Sequence, residues 1–246
     1  MATSQGELDR PAFYALRSGG WRDLVTLLHP PYTAWHLSYV AIGAAVAPHV
    51  YAGRLIAALA AFFLAVGIGA HAFDELHGRP LRTRLSRRAL IGLGSAGVGG
   101  AVAIGVAGII VVSPLLAPLV IVGAFLVLAY NLELFGGRFH SDAWFALAWG
   151  GFPAFTGYFV CALEVRPAGV LIAAACCLTS LAQRRLSTPA RALRRKTLDV
   201  AGEQRLRDGT VVELTRAELS RPLEGALSAL WMAQVVLAVG LLAMRL

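Results

Sequence analysis

The chain has 246 residues, of which 57% are hydrophobic and 15% are charged, and its mean hydropathy is +0.66. A soluble domain of this length needs a more polar surface, so the composition excludes an ordinary soluble protein and indicates a membrane protein. The net charge of +8 does not indicate nucleic-acid binding. The basic residues lie in blocks between apolar runs, and no aromatic and basic recognition platform accompanies them.

Seven apolar runs are long enough to cross a bilayer as helices, because a hydrocarbon core of about 30 Å needs about 20 residues. They lie near residues 34–51, 55–73, 89–112, 115–134, 143–163, 168–183 and 226–244. The third run is rich in glycine, which predicts close packing between helices. The sequence therefore predicts an all-α, polytopic membrane helix bundle of about seven transmembrane helices.

The distribution of basic residues predicts the orientation of this bundle. With the N-terminus inside, 19 of the 22 lysines and arginines fall in cytoplasmic segments, and only Arg54, Arg166 and Arg245 fall outside. The first thirty residues lack the apolar core of a signal peptide, so the first spanning helix is expected to direct insertion. We expect a multi-pass protein of the cell membrane. The excess of arginine over lysine is typical of a GC-rich genome and favours a bacterial inner membrane.

The chain divides into four predicted segments. An N-terminal cytoplasmic or interfacial segment spans 1–33, a six-helix membrane core spans 34–190, a basic cytosolic insert spans 191–225, and the seventh transmembrane helix spans 226–246. Within the insert, Asp208-Gly209 predicts a hairpin turn. Thr215 and Glu218 are spaced as a capping box that opens a short helix.

Acidic side chains are scarce near the spanning helices, and they gather at the predicted cytoplasmic ends. An ionisable group in a bilayer costs about 2.5–3.5 kcal/mol on insertion scales, so each is a functional hypothesis. At the end of the second helix, His71, Asp74 and Glu75 share a face by helical spacing, and His77 follows. Carboxylates favour Mg²⁺, whereas histidine ligands make Fe or Zn the alternative. The other interpretation is a helix end whose acids pair with nearby arginines.

Two further polar groups lie at the same predicted end of the bundle. The fourth and fifth helices are joined by a stretch that contains Tyr130, Asn131, Glu133, Arg138, His140 and Asp142. A tight loop with Ser141 or Asp142 as a helix cap is the alternative interpretation there. The pair Arg184-Arg185 suits phosphate binding, or else anchors the chain to anionic lipid heads. His36, early in the first helix, is an additional candidate for the same cavity.

This layout resembles the UbiA superfamily of intramembrane aromatic prenyltransferases, over roughly residues 33–190. The run from His71 to Thr83 takes the place of the family's Asn/Asp-rich motif and its basic Arg-Pro-Leu-like loop. Residues 130–150 are similar to its junction of the fourth and fifth helices. The chain departs from the family in three respects: the first motif has only Asp74 and Glu75 as acids, Gln183-Arg184-Arg185 stands where a second Asp-rich motif is expected, and seven helices replace the usual nine.

The resemblance implies prenyl transfer from an isoprenoid diphosphate, with a membrane lipid or isoprenoid as substrate. It implies catalytic roles for Asp74, Glu75, Tyr130 and Asn131, and a metal held by Asp74 and Glu75, with His71 and His77 nearby. The residues expected to bind diphosphate are Arg79, Arg82, Arg138, Arg184 and Arg185.

Two alternatives remain open. One is a lipid oxidase or desaturase whose metal ligands come from His36, His71, Asp74, Glu75, His77, Glu133 and His140. The other is a non-catalytic transporter or assembly protein.

Overall fold

A computed structural model describes residues 10–245 as eight helices and one small β-hairpin. Residues 1–9 of the predicted N-terminal segment, and Leu246 at the other end, lie outside the described residues. The helices are α1 (Trp21–Leu27), α2 (Pro30–Val46), α3 (Ala52–Leu76), α4 (Arg87–Val111), α5 (Pro114–Asn131), α6 (Asp142–Ala162), α7 (Pro167–Arg195) and α8 (Arg216–Ala243). The hairpin pairs β1 (Glu203–Arg205) with β2 (Val211–Glu213) in antiparallel register.

Within residues 10–245, six helices, α3 to α8, are long and apolar enough to cross a membrane. The first predicted span, 34–51, corresponds to α2, which has 17 residues. The structure therefore confirms a predominantly helical bundle, with six rather than seven of the predicted spans long and apolar enough to cross a membrane.

Two helices extend beyond their predicted spans. The run predicted at 168–183 continues as α7 to Arg195. The helix predicted to begin at 226 begins at Arg216. Thr215 caps this helix, because its hydroxyl accepts a hydrogen bond from the Glu218 N–H, but the cap opens all of α8 rather than a separate short helix.

Close helix crossings hold the bundle together. Helix α2 packs against both α6 and α8. At the α2–α6 crossing, a Cβ on Gly43 would lie 1.9 Å from the Ala154 carbonyl oxygen, and one on Gly157 would lie 2.0 Å from the Val40 carbonyl oxygen. Small residues at such crossings allow backbones to approach without a large side chain between them. The glycine-rich α4 behaves similarly, since a Cβ on Gly97 would lie 2.6 Å from the Leu64 carbonyl oxygen of α3.

Two helices contain widened, π-helical turns close to the polar side chains described below. In α3 the turn covers Phe63–Ala70 and ends just before His71. In α6 it covers Leu147–Gly151 and contains Trp149. Such turns shift the register of the side chains that follow and occur frequently at functional sites. Both helices have their polar termini at the same end of the bundle, together with loops 77–86 and 196–215; we call this the basic end.

Candidate functional site

Helix α7 presents a polar stripe to the interior of the bundle at the basic end. Its inner face carries Ser180, Gln183, Ser187 and Arg191, which recur at the three- and four-residue spacing of one helix face. The first three are at most 5% exposed. Arg184, one position from this row, is mostly buried as well, and its guanidinium stacks over the Phe145 ring at 5.0 Å. Polar side chains are costly to bury in a membrane, so a polar stripe that faces inward from a membrane helix indicates a candidate functional site.

Asp74 on α3 faces this stripe. Its carboxyl group interacts electrostatically with Arg195, Arg191 and His140. Tyr130 on α5 interacts electrostatically with Arg184, Arg191 and Asp74. Three distant parts of the chain therefore bring a carboxyl group, a phenol and two arginines together. We call the group that fills this space the polar cluster: Tyr14, His29, Tyr32, His71, Asp74, Tyr130, Gln183 and Arg191.

Tyr130 lies between two aromatic rings. It stacks on His140 with ring centroids 4.4 Å apart and meets Trp149 edge-on at 5.6 Å. Its hydroxyl is buried and has no hydrogen-bond partner among the described residues, and the same is true of Oε1 of Gln183. Because a buried polar atom without a partner costs about 1–3 kcal/mol, these two atoms indicate a place where a polar ligand group is received.

A histidine pair forms another side of the polar cluster. The His29 and His71 rings stack with their centroids 4.0 Å apart, and the Tyr14 hydroxyl lies 2.9 Å from His29 Nδ1. Burial lowers the pKa of His29 well below its usual value, and electrostatic interaction with His71 and with the guanidinium of Arg195 lowers it further. Burial likewise raises the pKa of Tyr14. The imidazole of His29 and the phenol of Tyr14 are therefore neutral at physiological pH.

Glu75 is turned away from the polar cluster and organises the loop that follows α3. The side chain is fully buried. One carboxylate oxygen accepts a hydrogen bond from the Leu81 N–H at 2.9 Å, and the other accepts from the N–H and hydroxyl of Thr83 at 2.9 Å. Arg79 serves the same loop, because its guanidinium donates to the Thr83 and Leu85 carbonyls. Two of the predicted site residues thus hold the backbone of their own loop.

The other predicted site residues either have hydrogen-bond partners within the protein or are exposed. The Asn131 amide donates to the Val127 carbonyl at 2.8 Å, and His36 Nδ1 lies 2.8 Å from the Trp149 carbonyl oxygen. Asp142 is exposed and accepts from Arg184 Nε at 2.9 Å, whereas the neighbouring Ser141 caps α6. The exposed candidates, which do not join the polar cluster, are His77, Arg82, Glu133, Arg138 and Arg185.

The donor atoms do not form a ready metal centre. Among residues 10–245, no three His, Cys, Asp or Glu side chains are grouped as a metal site would require. His71 Nδ1 lies 3.2 Å from the Gly67 carbonyl oxygen, and its ring is covered by His29. With Glu75 occupied by its loop, Asp74 is the predicted carboxylate that remains at the polar cluster. The arrangement fits neither a histidine-rich Fe or Zn site nor the metal held jointly by Asp74 and Glu75 that the UbiA resemblance implies.

An apolar cavity of about 160 Å³ lies beside the polar cluster. Helices α3, α4, α5 and α6 form its wall, and Arg54 and Thr156 are its two polar or charged lining residues. Arg54 and Val66 both line it and are separated by about 18 Å along α3 at 1.5 Å per residue. Trp149 also lines the cavity and contacts Tyr130, so this ring separates the cavity from the polar cluster.

Comparisons with known proteins add no assignment to this geometry: no family model, curated protein or solved structure matches the chain. The resemblance to the UbiA superfamily therefore depends on the residues that carry it in the sequence.

Several members of the polar cluster were not among the sequence-predicted site residues. They are Tyr14, His29, Tyr32, Gln183 and Arg191. For Gln183 and Arg191 a signal was available, because the three- and four-residue spacing of polar side chains continues along α7 past the end of the apolar run. No comparable pattern marks Tyr14, whose segment has neither helical nor strand periodicity.

Proposed function

We propose that the chain is a membrane-embedded enzyme that binds an isoprenoid diphosphate at the basic end and transfers the prenyl group to an acceptor. The observation that carries the proposal is the inward-facing stripe of α7: Arg191 on the stripe interacts electrostatically with Asp74 and Tyr130, and Arg184, one position from the stripe, interacts with Tyr130. Arginine suits such a head group, because its planar fork forms paired hydrogen bonds with phosphate oxygens. The excess of basic residues at this end favours a cytoplasmic location for it.

The apolar cavity suits the tail of the same molecule. It adjoins the polar cluster at Trp149 and extends about 18 Å along α3, a large part of a hydrocarbon core about 30 Å thick. A ligand with an anionic head and a long apolar tail matches this pairing of a basic site with an apolar space. A wholly polar ligand would leave the cavity unused.

The proposed reaction needs charge stabilisation more than it needs a nucleophile on the protein. When the bond between the allylic carbon and its oxygen breaks, negative charge moves onto the departing diphosphate. Arg184 and Arg191 are placed to stabilise that charge, and hydrogen bonds to it strengthen as it develops. The Tyr130 hydroxyl and Gln183 Oε1, which lack partners among the described residues, orient the polar group of the acceptor.

Asp74 gives the site one carboxylate for Mg²⁺. This metal is commonly held by one or two carboxylates together with substrate phosphate oxygens, so a single site through Asp74 is compatible with the side chains present. A bound Mg²⁺ would neutralise charge on the leaving diphosphate. In the proposed reaction the arginines bind the head group whether or not Mg²⁺ is present.

The proposal is tested by the binding of farnesyl diphosphate to the purified chain in lipid nanodiscs. We expect Arg191→Gln and Arg184→Gln each to weaken binding about 10- to 100-fold, the effect of losing a charged hydrogen bond of about 1.5–3 kcal/mol. Arg185→Gln is the matched control, because Arg185 is adjacent in sequence but exposed. Asp74→Asn should abolish transfer of the prenyl group to the acceptor while leaving the chain inserted in the membrane. Equal affinities for the Arg191→Gln and Arg185→Gln variants would refute the proposed site.

A further inference from the structure

Residues 10–18 form a segment that crosses the basic end; we call it the strap. It has no regular secondary structure, yet Pro11, Ala12 and Ala15 are buried. Ala12 and Ala15 pack against Leu81 of the loop that Glu75 holds. The Leu16 N–H donates to the Thr26 hydroxyl at 3.1 Å. The strap is thus seated on the bundle by specific contacts.

The strap occupies arginine donors at the edge of the polar cluster. Arg195 donates from Nε to the Pro11 carbonyl at 3.0 Å, and Arg194 donates from Nη1 to the Arg10 carbonyl at 3.4 Å. Arg194 also pairs with Glu224 of α8, with Nη2 2.8 Å from Oε2. Arg195 also interacts electrostatically with Asp74 and His29. The Arg10 and Pro11 carbonyl oxygens and the Glu224 carboxylate therefore accept hydrogen bonds from arginine groups that phosphate oxygens would also accept.

The strap also closes the space above Arg191. A cavity of about 20 Å³ lies beneath it, lined by Tyr14, Tyr32, Ser187 and Arg191. A single water needs roughly 10–15 Å³ by the same measure, so a phosphate group does not fit there. Within the strap, Tyr14 attaches to the bundle through the hydrogen bond between its hydroxyl and His29. A head group approaching from this side can reach Arg191 only when the strap moves.

A hinge is present where the strap ends. Gly19 and Gly20 have φ values of +127° and +60°, a region that favours glycine, and nothing lies within 4 Å of a Cβ built on either residue. After them, α1 begins at Trp21, which is 65% exposed. Rotation about these glycines would move the strap and would break two hydrogen bonds to α1, from the Gly19 N–H to Asp23 Oδ1 at 3.0 Å and from the Leu16 N–H to the Thr26 hydroxyl at 3.1 Å.

We propose that the strap is a gate, and that an anionic lipid head enters the polar cluster by displacing the strap carbonyls from Arg194 and Arg195. A charged phosphate oxygen forms a stronger hydrogen bond with arginine than a neutral carbonyl does, so the head group competes successfully for these donors. This inference rests on the proposed function, because it takes the same diphosphate as the ligand. It adds the route of entry and the element that controls it.

Cysteine labelling of two adjacent positions tests the gate. Within the strap, Ala15 is 1% exposed and packs against the bundle, whereas its neighbour Leu16 is 37% exposed, so Ala15→Cys and Leu16→Cys form a matched pair. Both are made in the chain with Cys161, Cys176 and Cys177 replaced by alanine, and alkylation by N-ethylmaleimide is followed over time. We expect inorganic pyrophosphate to accelerate labelling of Ala15→Cys about tenfold and to leave Leu16→Cys unchanged. Adding Arg191→Gln should remove the acceleration.

A second variant tests, without any ligand, whether the hydrogen bond between Tyr14 and His29 is a latch that holds the strap in place. Tyr14→Phe keeps the ring and removes the hydrogen bond to His29, so it should raise labelling of Ala15→Cys about fivefold. An unchanged rate in this variant would overturn the latch. Pyrophosphate that binds by calorimetry without exposing residue 15 would overturn the gate alone. Absence of pyrophosphate binding would instead overturn the proposed function and, with it, ligand-driven opening.

Discussion

Asp74 and Glu75 are adjacent acids on one helix, and the structure gives them different surroundings. Neighbouring residues on a helix point about 100° apart, so one side chain reaches the polar cluster while the other reaches the loop. Glu75 is held by three donors from Leu81 and Thr83. Sequence spacing could place both on one broad face, but the donors offered by the loop appear only after the loop folds back on the helix.

Replacing Glu75 with glutamine should destabilise the chain without altering the charge of the polar cluster. In glutamine an NH₂ group replaces one of the two carboxylate oxygens. The Leu81 or Thr83 donor that this oxygen accepts from would then be buried without a partner, at a cost of about 1–3 kcal/mol. The midpoint of thermal unfolding in detergent should fall, and trypsin should cut faster in loop 77–86. Glu133→Gln, on an exposed side chain, is the control and should change neither. An unfolding midpoint equal to that of the unchanged protein would contradict the loop-organising role of Glu75.

The histidine pair predicts how stability depends on pH. Because the folded-state pKa of His29 is lowered, the unfolded chain binds its proton first as pH falls, so stability is full above about pH 6.5 and declines below it. The slope from one such group is at most about 1.4 kcal/mol per pH unit. The groups that face His29 are Tyr14, Tyr32, His36, His71, Arg191 and Arg195. Unfolding midpoints measured from pH 7.5 to 5 should show a smaller acid-induced loss in His29→Asn, whereas His49→Asn, at an exposed position, should retain the full loss.

At the scale of elements, α7 shows why one half of the site was predicted and the other was not. Hydropathy ends the apolar run at residue 183, because Arg184 begins a basic stretch. Helix geometry does not depend on polarity, however, and the following residues continue the helix to Arg195 with Pro189 inside it. The side chains beyond the run therefore stay on the same inner face. Arg184 was identified as half of an arginine pair, while Arg191, two turns further on, was read as part of the cytosolic insert.

The crossing of α2 and α6 is expected to tolerate no side chain at its centre. In Gly157→Ala the new Cβ would lie 2.0 Å from the Val40 carbonyl oxygen, so the helices must separate. Overpacking of this kind typically costs about 1–3 kcal/mol, and the yield of folded protein after detergent extraction should fall accordingly. Gly225→Ala on α8 is the matched control, since nothing lies within 4 Å of its Cβ, and alanine favours a helix. Equal yields of the two variants would contradict the close approach of α2 and α6 at Gly157.

At the scale of the whole molecule, composition was sufficient for the architecture but not for the site. Apolar runs and basic blocks predict membrane helices, because both follow from the physics of the bilayer. The meeting of Asp74, Tyr130 and Arg184 depends on how α3, α5 and α7 pack, and helical spacing within one segment carries no such information. Tyr14 is the extreme case, since it reaches His29 from an irregular strap. The predicted helical bundle was thus confirmed, with six helices apolar enough to cross a membrane among the described residues, whereas the polar cluster could be assembled only in three dimensions.

The basic end is expected to face the cytoplasm, and two single cysteines can establish this. Thr210 lies in the exposed hairpin turn at the basic end, and Val165, 64% exposed, lies in the loop before α7 at the opposite end. In the chain without native cysteines, a membrane-impermeant maleimide applied to intact cells should label Val165→Cys and should reach Thr210→Cys only after the membrane is opened. The physical basis is the cost of translocating arginine-rich connections, which carry 19 of the 22 basic residues at one side. The opposite labelling pattern would place the polar cluster outside the cell and remove the cytoplasmic entry route that the strap is proposed to control.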